Sequence, residues 1–244
     1  MSKVIVITGA GAGLGRALAR RFAADGETLV LLGRTLSKVE AVAAEIGARA
    51  MAVACDVASP DSVRSAFAEI AKQHSHIDVL INNAAVYEPF LIAEASDDQI
   101  LGSIGTNVAG PILCARAAIP MMARGSHIIN VTSESTEVNW PYLVMYQSTK
   151  AGVERFSQGL NYELDGSGIK VTTVRAGQMM EEGKSPGWDP QIAMRFFQAC
   201  MGAGINLRES PKSQYTSVTD VFRAVVDMPQ DLQTPVVTIH ARKP

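Results

Sequence analysis

Short apolar runs alternate with helix-like segments along almost the whole chain, and this alternation limits the folds that it can adopt. Strand-like runs occupy residues 4–7, 29–32, 50–54, 77–81, 127–131, 169–174 and 235–239. They are continuously apolar and rich in β-branched residues, which is typical of strands buried on both faces of a sheet. Since helical patterns separate them, the sequence predicts an α/β fold with a doubly wound parallel β-sheet.

Helical patterns cover residues 14–24, 37–46, 60–74 and 144–164, and a long helix is expected to follow Ser96. The pattern is irregular between Gly177 and Ser217. We find no internal repeat and no linker. The expectation is therefore one Rossmann-like domain over residues 1–244, in three α/β/α layers, with a substrate-loop region at about 178–217.

Composition excludes several classes of function. The 244 residues carry a net charge of −2, so there is no basic excess that would indicate nucleic-acid binding. No apolar run reaches the roughly 18 residues of a membrane span. The three cysteines form no C-x-x-C pair and are interpreted as free thiols. No signal-peptide pattern is present. Both observations favour a cytoplasmic protein. His74 and His76 lack the spacing of metal ligands.

A glycine-rich segment joins the first predicted strand to the first predicted helix. It reads Thr8-Gly9-Ala10-Gly11-Ala12-Gly13-Leu14-Gly15. Glycines let the backbone turn sharply and approach a pyrophosphate, whose charge the helix N-terminus stabilises. The segment therefore indicates a dinucleotide site. The alternative is a turn that serves only to pack the strand against the helix.

The end of the second strand indicates which dinucleotide binds. A carboxylate there would hold a free ribose 2′-hydroxyl, but the sequence has Gly33-Arg34-Thr35 and no acid. Because Arg34 can pair with a 2′-phosphate, we expect NADP(H) rather than NAD(H). The alternative for Arg34 is a solvated surface side chain. Asp56 and Val57, at the end of the third strand, are placed to bracket an adenine, although an Asp there can also simply cap a turn.

Tyr146 and Lys150 are four residues apart on a predicted helix and so share one face. A phenol has a reference pKa of about 10, and a shift of three units requires roughly 4 kcal/mol. An exposed ion pair supplies at most about 1 kcal/mol. Lys150 can therefore make Tyr146 a base only in a closed cleft of low dielectric, beside an oxidised nicotinamide. In the reduction direction Tyr146 would donate a proton as a general acid.

Together these segments resemble the motifs of the short-chain dehydrogenase/reductase family, in its compact single-domain form. Residues 8–15 are similar to T-G-x-x-x-G-x-G, and residues 146–150 to Y-x-x-x-K. Residues 82–85, Asn-Asn-Ala-Ala, are similar to N-N-A-G, with Ala85 in place of the glycine. Ser133 precedes Tyr146 by thirteen residues, which is the family's spacing, and Asn107 matches a helix asparagine of the family.

The resemblance implies that Asn107, Ser133, Tyr146 and Lys150 are the catalytic residues. Ser133 would hydrogen-bond the substrate oxygen, Lys150 would also hold the nicotinamide ribose, and Asn107 would hold a water that relays protons. Read alone, Ser133 is better explained as a strand-end cap and Asn107 as a packing amide. The expected cofactor-binding residues come from the glycine-rich segment, the strand ends and the catalytic pair: Gly9, Gly11, Ala12, Gly13, Leu14, Gly15, Arg34, Asp56, Val57, Asn83, Ala84, Ala85, Tyr146, Lys150 and Gly177.

The sequence departs from the family's pattern after the sixth strand. Ala176 stands where the family has a proline, which leaves the bend less fixed. Glu181 stands where a threonine would contact the cofactor, and a carboxylate there would repel a pyrophosphate. Ala12 occupies a position that is often basic in NADP-preferring members, so the NADP(H) expectation rests on the end of the second strand.

The substrate side is expected to be mainly apolar and aromatic, and such residues adapt to apolar ligands. For each of them the alternative is packing in the core or at a subunit interface. The candidates are Glu134, Trp140, Tyr142, Val144, Met179, Met180, Trp188, Phe196, Phe197 and Met201. This set favours an apolar or aromatic carbonyl substrate.

Two alternatives to a carbonyl reductase or alcohol dehydrogenase remain. A 3-oxoacyl thioester reductase would favour a basic patch at the site mouth, for which Arg195, Arg208 and Lys212 are candidates. A dinucleotide-sensing protein without catalysis would typically lack the tyrosine or the lysine, and this chain has both.

Family members are commonly oligomers, so the resemblance implies a homotetramer or homodimer. The residues expected to supply apolar surface are Ile112, Leu113, Ala117 and Ala118.

Overall fold

A computed structural model of the chain describes residues 2–180 and 187–242, apart from the side chain of Met180. Its strands are β1 (Val4–Thr8), β2 (Thr28–Gly33), β3 (Ala50–Ala54), β4 (Val79–Asn82), β5 (His127–Ser133), β6 (Lys170–Ala176), β7 (Met179–Met180), β8 (Ser213–Gln214) and β9 (Val236–Ile239). Its α-helices are α1 (Gly13–Ala24), α2 (Leu36–Ile46), α3 (Pro60–Gln73), α4 (Asp97–Ile104), α5 (Gly110–Ala118), α6 (Val144–Leu164), α7 (Pro190–Gly202) and α8 (Tyr215–Val226).

Seven strands form one parallel sheet in the order β3-β2-β1-β4-β5-β6-β9, and β7 pairs separately with β8. The predicted doubly wound parallel sheet is confirmed. The order reverses between β1 and β4, which places the crossovers on opposite faces of the sheet. No helix of the described residues is long and apolar enough to cross a membrane.

The core lies in two clusters, one on each face of the sheet. Val4 and Val6 of β1 belong to the cluster that packs with α3 and α5, whereas Ile5 and Ile7 belong to the cluster that packs with α1, α2 and α8. Successive side chains of a strand point to opposite faces. The continuous apolar runs therefore arise because both faces of each central strand are covered.

The helix expected to run on from Ser96 is interrupted. A π-helical turn over Gly105–Ala109 separates α4 from α5. Pro111 has no N–H to donate to the carbonyl of Asn107 four residues earlier, so the regular hydrogen-bonding pattern cannot continue there. The interruption carries Asn107, which is 1% exposed.

The expectation of an irregular region over residues 178–217 was wrong in part. This part of the chain contains α7, the short pair β7–β8 and the start of α8. The start of α7 is locally encoded, because Asp189 accepts hydrogen bonds from the backbone of Gln191 and Ile192 and Pro190 follows it.

The expected apolar surface of α5 is also corrected. Ile112 is exposed, but Ala118 is fully buried, and Leu113 and Ala117 pack against the core. Exposed apolar side chains instead occur on α4, at Leu101 and Ile104.

Candidate active site

Two adjoining cavities open at the edge of the sheet where β1, β4, β5 and β6 end. One has a volume of about 350 Å³ and reaches the ends of β2 and β3, and the other has a volume of about 570 Å³ and reaches β5 and β6. Asn83 and Ala85 line both. Because they share these walls at the point where the strand order reverses, the cavities form one elongated cleft in the usual ligand position of such sheets.

The glycine-rich segment forms the floor of this cleft. Gly9 and Gly13 have positive φ angles of +66° and +53°, which glycine adopts without strain. A Cβ atom at Gly15 would overlap the carbonyl oxygen of Gly9, so no side chain fits there. The N-cap of α1, Ala12, makes no side-chain cap, so the N–H groups of the first turn are left for an anion.

Not every residue of the segment faces the cleft. Ala12 lines the smaller cavity and Leu14 the larger one. Gly11 lines neither, and a Cβ atom there would lie 2.9 Å from the Cβ of Lys38. Gly11 therefore allows α2 to pack closely rather than facing the predicted cofactor.

Thr8 and Asn83 fasten the ends of β1 and β4 to each other. The Thr8 hydroxyl accepts hydrogen bonds from the backbone N–H groups of Asn83 and Ala84, each at 3.0 Å. The Asn83 amide donates to the carbonyl of Thr8 at 3.0 Å. These bonds hold residues 83–85 against the glycine-rich segment. Thr8 was not among the predicted contacts, although it begins the same motif.

Arg34 and Gly33 lie at the far end of the smaller cavity. Arg34 is exposed and has no ion pair or hydrogen bond with a described residue, so its guanidinium is available to a ligand. A Cβ atom at Gly33 would lie 2.8 Å from a methyl carbon of Val39. The packing of α2 thus leaves no room at this position for the carboxylate that would bind a 2′-hydroxyl.

Asp56 and Val57 line the same cavity, as expected for an adenine site. One carboxylate oxygen of Asp56 accepts a hydrogen bond from the backbone of Ala58 at 3.0 Å, so the residue also caps its turn. The neighbouring Cys55 thiol has its pKa raised to about 11, chiefly by burial, and is therefore protonated at neutral pH.

Tyr146 and Ser133 meet in the larger cavity. Ser133 is the last residue of β5, and Tyr146 lies in the first turn of α6. Burial raises the pKa of Tyr146 to about 12, while a hydrogen bond with the Ser133 hydroxyl acts in the opposite direction. The Tyr146 phenol is therefore protonated at neutral pH and lies beside a second hydroxyl group.

Lys150 lies one turn further along α6 and is 4% exposed. Its ammonium nitrogen donates a hydrogen bond to the carbonyl of Val131 on β5 at 2.8 Å and lies 5.7 Å from the centre of the Tyr146 ring. Burial lowers the pKa of Lys150 to about 8. A cation is thereby held close to the phenol in a desolvated environment, as the predicted chemistry requires.

Asn107 reaches the same region from the π-helical turn. Its side-chain oxygen accepts a hydrogen bond from the backbone of Val86 at 2.8 Å. Its amide donates to the carbonyl of Val86 at 2.9 Å and to the hydroxyl of Thr149 at 3.1 Å. These contacts join Asn107 to the backbone of Val86 and to Thr149, the residue before Lys150. The water-holding role that the resemblance implies stays a prediction.

A buried carboxylate stabilises the backbone on both sides of Ser133. Glu154, one turn after Lys150 on α6, accepts hydrogen bonds from the hydroxyls of Thr132 and Thr136, both at 3.0 Å. Arg175 of β6 completes the group by pairing with both carboxylate oxygens, at 2.8 and 2.7 Å. Sequence reasoning did not identify this group, because its members are separated along the chain.

Glu134 holds the bend after β6 in place. One carboxylate oxygen accepts a hydrogen bond from the backbone of Gln178 at 3.2 Å, and the other lies 2.8 Å from a ring nitrogen of His240. A Cβ atom at Gly177 would lie 2.6 Å from the carbonyl oxygen of Ile239. The bend that Ala176 leaves without a proline is thus fixed by Glu134. Glu181, the other replacement noted in the sequence, lies outside the described residues.

Aromatic rings close the outer part of the larger cavity. Tyr87 packs edge-on against Tyr146, with ring centres 4.8 Å apart, and lies 5.0 Å from Trp188. Trp188 packs against Phe196 at 5.6 Å, and its indole N–H donates to the carbonyl of Tyr87 at 2.9 Å. Tyr87 was missed in the sequence, where it follows the Asn-Asn-Ala-Ala motif without any pattern of its own.

The predicted substrate-side residues divide into two groups. Those that line the larger cavity are Glu134, Trp140, Met179, Trp188 and Phe196. The described members that do not line it are Tyr142, Val144, Phe197 and Met201, and the side chain of Met180 lies outside the described part.

The second group faces elsewhere for local reasons. Phe197 and Met201 follow Phe196 and Cys200 by one residue each, so they lie about 100° further round α7. Val144 is exposed at the start of α6. Tyr142 has a positive φ of +61°, and its ring stacks with Arg195.

Sequence similarity to known dehydrogenases extends over most of the chain. A family model described as short chain dehydrogenase matches residues 3–185. The NADP-dependent 3-hydroxy acid dehydrogenase YdfG of Salmonella typhi is 34% identical over 181 residues, which cover 71% of this chain and 71% of that protein. Dehydrogenase/reductase SDR family member 7B of Bos taurus is 33% identical over 185 residues, which cover 71% of this chain but only 57% of that protein.

Among solved structures, the chain is similar to an alcohol dehydrogenase from the archaeon Thermococcus sibiricus, complexed with 5-hydroxy-NADP. The TM-score is 0.83 at 22% identity, and the likeness covers 100% of this chain and 99% of that one. At this identity the likeness concerns the fold alone.

Removing the Glu134 carboxylate tests its role in the bend after β6. We expect Glu134→Ala to weaken NADPH binding by about three- to tenfold, because a hydrogen bond to a charged group is lost beside Gly177. Glu134→Gln keeps an acceptor for the Gln178 N–H and should bind NADPH more tightly than the alanine variant. Fluorescence titration with NADPH measures both. Unchanged binding in the alanine variant would contradict the assignment.

Proposed function

The chain belongs to the short-chain dehydrogenase family, and on that basis we propose that it transfers a hydride between NADP(H) and a carbonyl or secondary alcohol carbon. The observation that carries this proposal is the common cleft of Ser133, Tyr146 and Lys150, which continues to the glycine-rich segment. The residues fit a dinucleotide, because Ala12 and Gly13 line the cleft at the start of α1, where no side chain caps the first N–H groups of the helix.

Tyr146 is the proton donor when the carbonyl is reduced. With a pKa of about 12 it stays protonated throughout the neutral range. The Ser133 hydroxyl lies beside it and donates a second hydrogen bond to the same substrate oxygen, which stabilises the negative charge that develops there.

In the oxidation direction Tyr146 has to accept a proton. Lowering a pKa of about 12 to neutrality takes roughly 7 kcal/mol of preferential stabilisation of the phenolate. When bound, the nicotinamide supplies the hydride donor or acceptor and, in its oxidised form, a positive charge. Lys150 adds a second cation from within the protein, and its low exposure keeps the attraction between opposite charges strong.

Lys150 also positions the reacting groups. Its bond to the Val131 carbonyl ties α6 to β5 two residues before Ser133. Two of its three ammonium hydrogens are then left for the ribose hydroxyls of the cofactor. Asn107, through Thr149, holds the turn of α6 from which Lys150 projects.

The substrate that best suits the outer cavity is an apolar or aromatic carbonyl compound. The wall formed by Tyr87, Trp140, Trp188 and Phe196 offers ring faces and edges rather than charges. The 3-oxoacyl thioester alternative loses one of its three basic candidates, because Arg195 is paired with Glu94 through two hydrogen bonds and is not free to bind an acidic carrier.

NADP(H) is the proposed cofactor because Arg34 is available and Gly33 excludes an acid. The NADP-dependent relative from Salmonella typhi supports the same choice by analogy. The exposed Leu101, Ile104 and Ile112 support a homo-oligomer, which we propose as the form in solution.

The first experiment pairs a carbonyl screen with Tyr146→Phe. Wild-type protein should consume NADPH with at least one class of aromatic or apolar ketone or aldehyde. The variant should still bind NADPH and lose at least about a hundredfold in kcat, because the proton donor is missing. Tyr162→Phe is the matched control, since Tyr162 is 88% exposed. Turnover retained by Tyr146→Phe would refute the assignment.

A second experiment tests Arg34. We expect Arg34→Ala to raise the KM for NADPH by at least about tenfold while leaving that for NADH nearly unchanged, because only a 2′-phosphate pairs with the guanidinium. Arg124→Ala is the control, because Arg124 lies just before β5 begins, whereas the cleft lies where β5 ends. An equal effect on both cofactors, or a wild-type preference for NADH, would overturn the NADP(H) proposal.

A further inference from the structure

The segment just before α8 folds back onto the cleft. Ser213 pairs with Met179, and its backbone N–H donates to the carbonyl of Gln178 at 2.9 Å. The β7–β8 pair therefore fixes residues 212–215 next to the bend that follows Gly177. This segment lies beyond residue 185, where the match to the family model ends.

Tyr215, the first residue of α8, faces the glycine-rich segment. Its hydroxyl oxygen lies 3.5 Å from the position that a Cβ atom on Gly13 would take. The ring packs against the core cluster that contains α1 and α8, which fixes its direction. The hydroxyl has no hydrogen-bond partner among residues 2–180 and 187–242. It is therefore a fixed polar group directed at the start of α1.

Lys212 adds a positive charge to the same part of the larger cavity. It lines the larger cavity together with Leu14, Gly177 and Tyr215, and it forms no ion pair with any residue that the structure describes. The other lysine of this cavity, Lys150, is committed to the Val131 carbonyl and the phenol.

Among the described residues, the carboxylate that lines this cavity does not neutralise Lys212. Glu134, which lines the same cavity, is bonded to the Gln178 backbone and to His240. Lys212 is thus the basic side chain of this cavity that is left for a dianionic group at the start of α1.

We infer that Lys212 and Tyr215 bind the pyrophosphate of the dinucleotide from beside the glycine-rich segment, as a phosphate clamp supplied by the residues before and at the start of α8. The inference rests on the proposed function, because it requires a dinucleotide in the cleft. The ammonium group of Lys212 forms a charge-assisted hydrogen bond with a phosphate oxygen, and the Tyr215 hydroxyl donates a second one.

Binding measurements without any carbonyl substrate test the clamp. The variants are Lys212→Gln and Tyr215→Phe, with Lys72→Gln and Tyr162→Phe as controls on exposed surfaces. Calorimetric titration with NADPH should give a Kd raised about tenfold by Lys212→Gln and several-fold by Tyr215→Phe. The affinity for adenosine 2′-monophosphate, which has no pyrophosphate, should be the same in all proteins. The NADPH affinity of Lys212→Gln should also depend less on salt concentration.

Each result has a distinct meaning. Unchanged NADPH affinity in both variants overturns the clamp. So does a variant that binds NADPH normally but shows a raised KM for the carbonyl substrate, since Lys212 would then serve the substrate. An equal loss of affinity for adenosine 2′-monophosphate also overturns the clamp, because the loss of affinity would not involve the pyrophosphate. Failure of wild-type protein to bind NADPH refutes the proposed function instead. Thermal unfolding by circular dichroism verifies that the variants are folded.

Discussion

The hydrogen bond between the Lys150 ammonium and the Val131 carbonyl is the contact on which the rest of the cleft depends. It places a buried cation between β5 and α6, which carry Ser133 and Tyr146. Burying an ammonium group is unfavourable, and the lowering of the Lys150 pKa to about 8 reflects that cost. The carbonyl offsets part of it and fixes where the charge lies. The phenol therefore has a positive neighbour that a hydrogen bond holds in a defined position.

Around this contact, several loops at this edge of the sheet are held by side chains that bond to backbone groups. Thr8 and Asn83 join the ends of β1 and β4, Asn107 holds the backbone at Val86, and Glu134 holds the bend at Gln178. Loops that carry binding groups need such supports because they lie outside the sheet's own hydrogen-bonding ladder. The same arrangement explains how Ala176 can replace a proline. The rigidity that the proline ring would give comes instead from a carboxylate more than forty residues earlier in the chain.

The parts of this molecule that were predictable from sequence depend on local patterns. The β-branched runs predicted the sheet, and the spacing of Tyr146 and Lys150 predicted that they share one face of a helix. The helix α8 was not predicted, although Val218, Phe222 and Val225 repeat with helical spacing. The contact between Glu134 and His240, and the grouping of Thr132 and Arg175 around Glu154, join distant residues. No local pattern encodes such contacts, so they become visible only once the strands are in register.

The central claim is that the Tyr146 phenol is protonated in the protein alone and becomes a base only when a cationic nicotinamide lies beside it. The direct measurement is an absorbance titration of tyrosinate, taken as the difference between wild type and Tyr146→Phe, with and without NADP⁺. We expect this difference to titrate near pH 12 without cofactor and at a pH lower by several units with NADP⁺ bound. A phenol that ionises near neutrality without cofactor, or one whose pKa NADP⁺ leaves unchanged, would contradict the account.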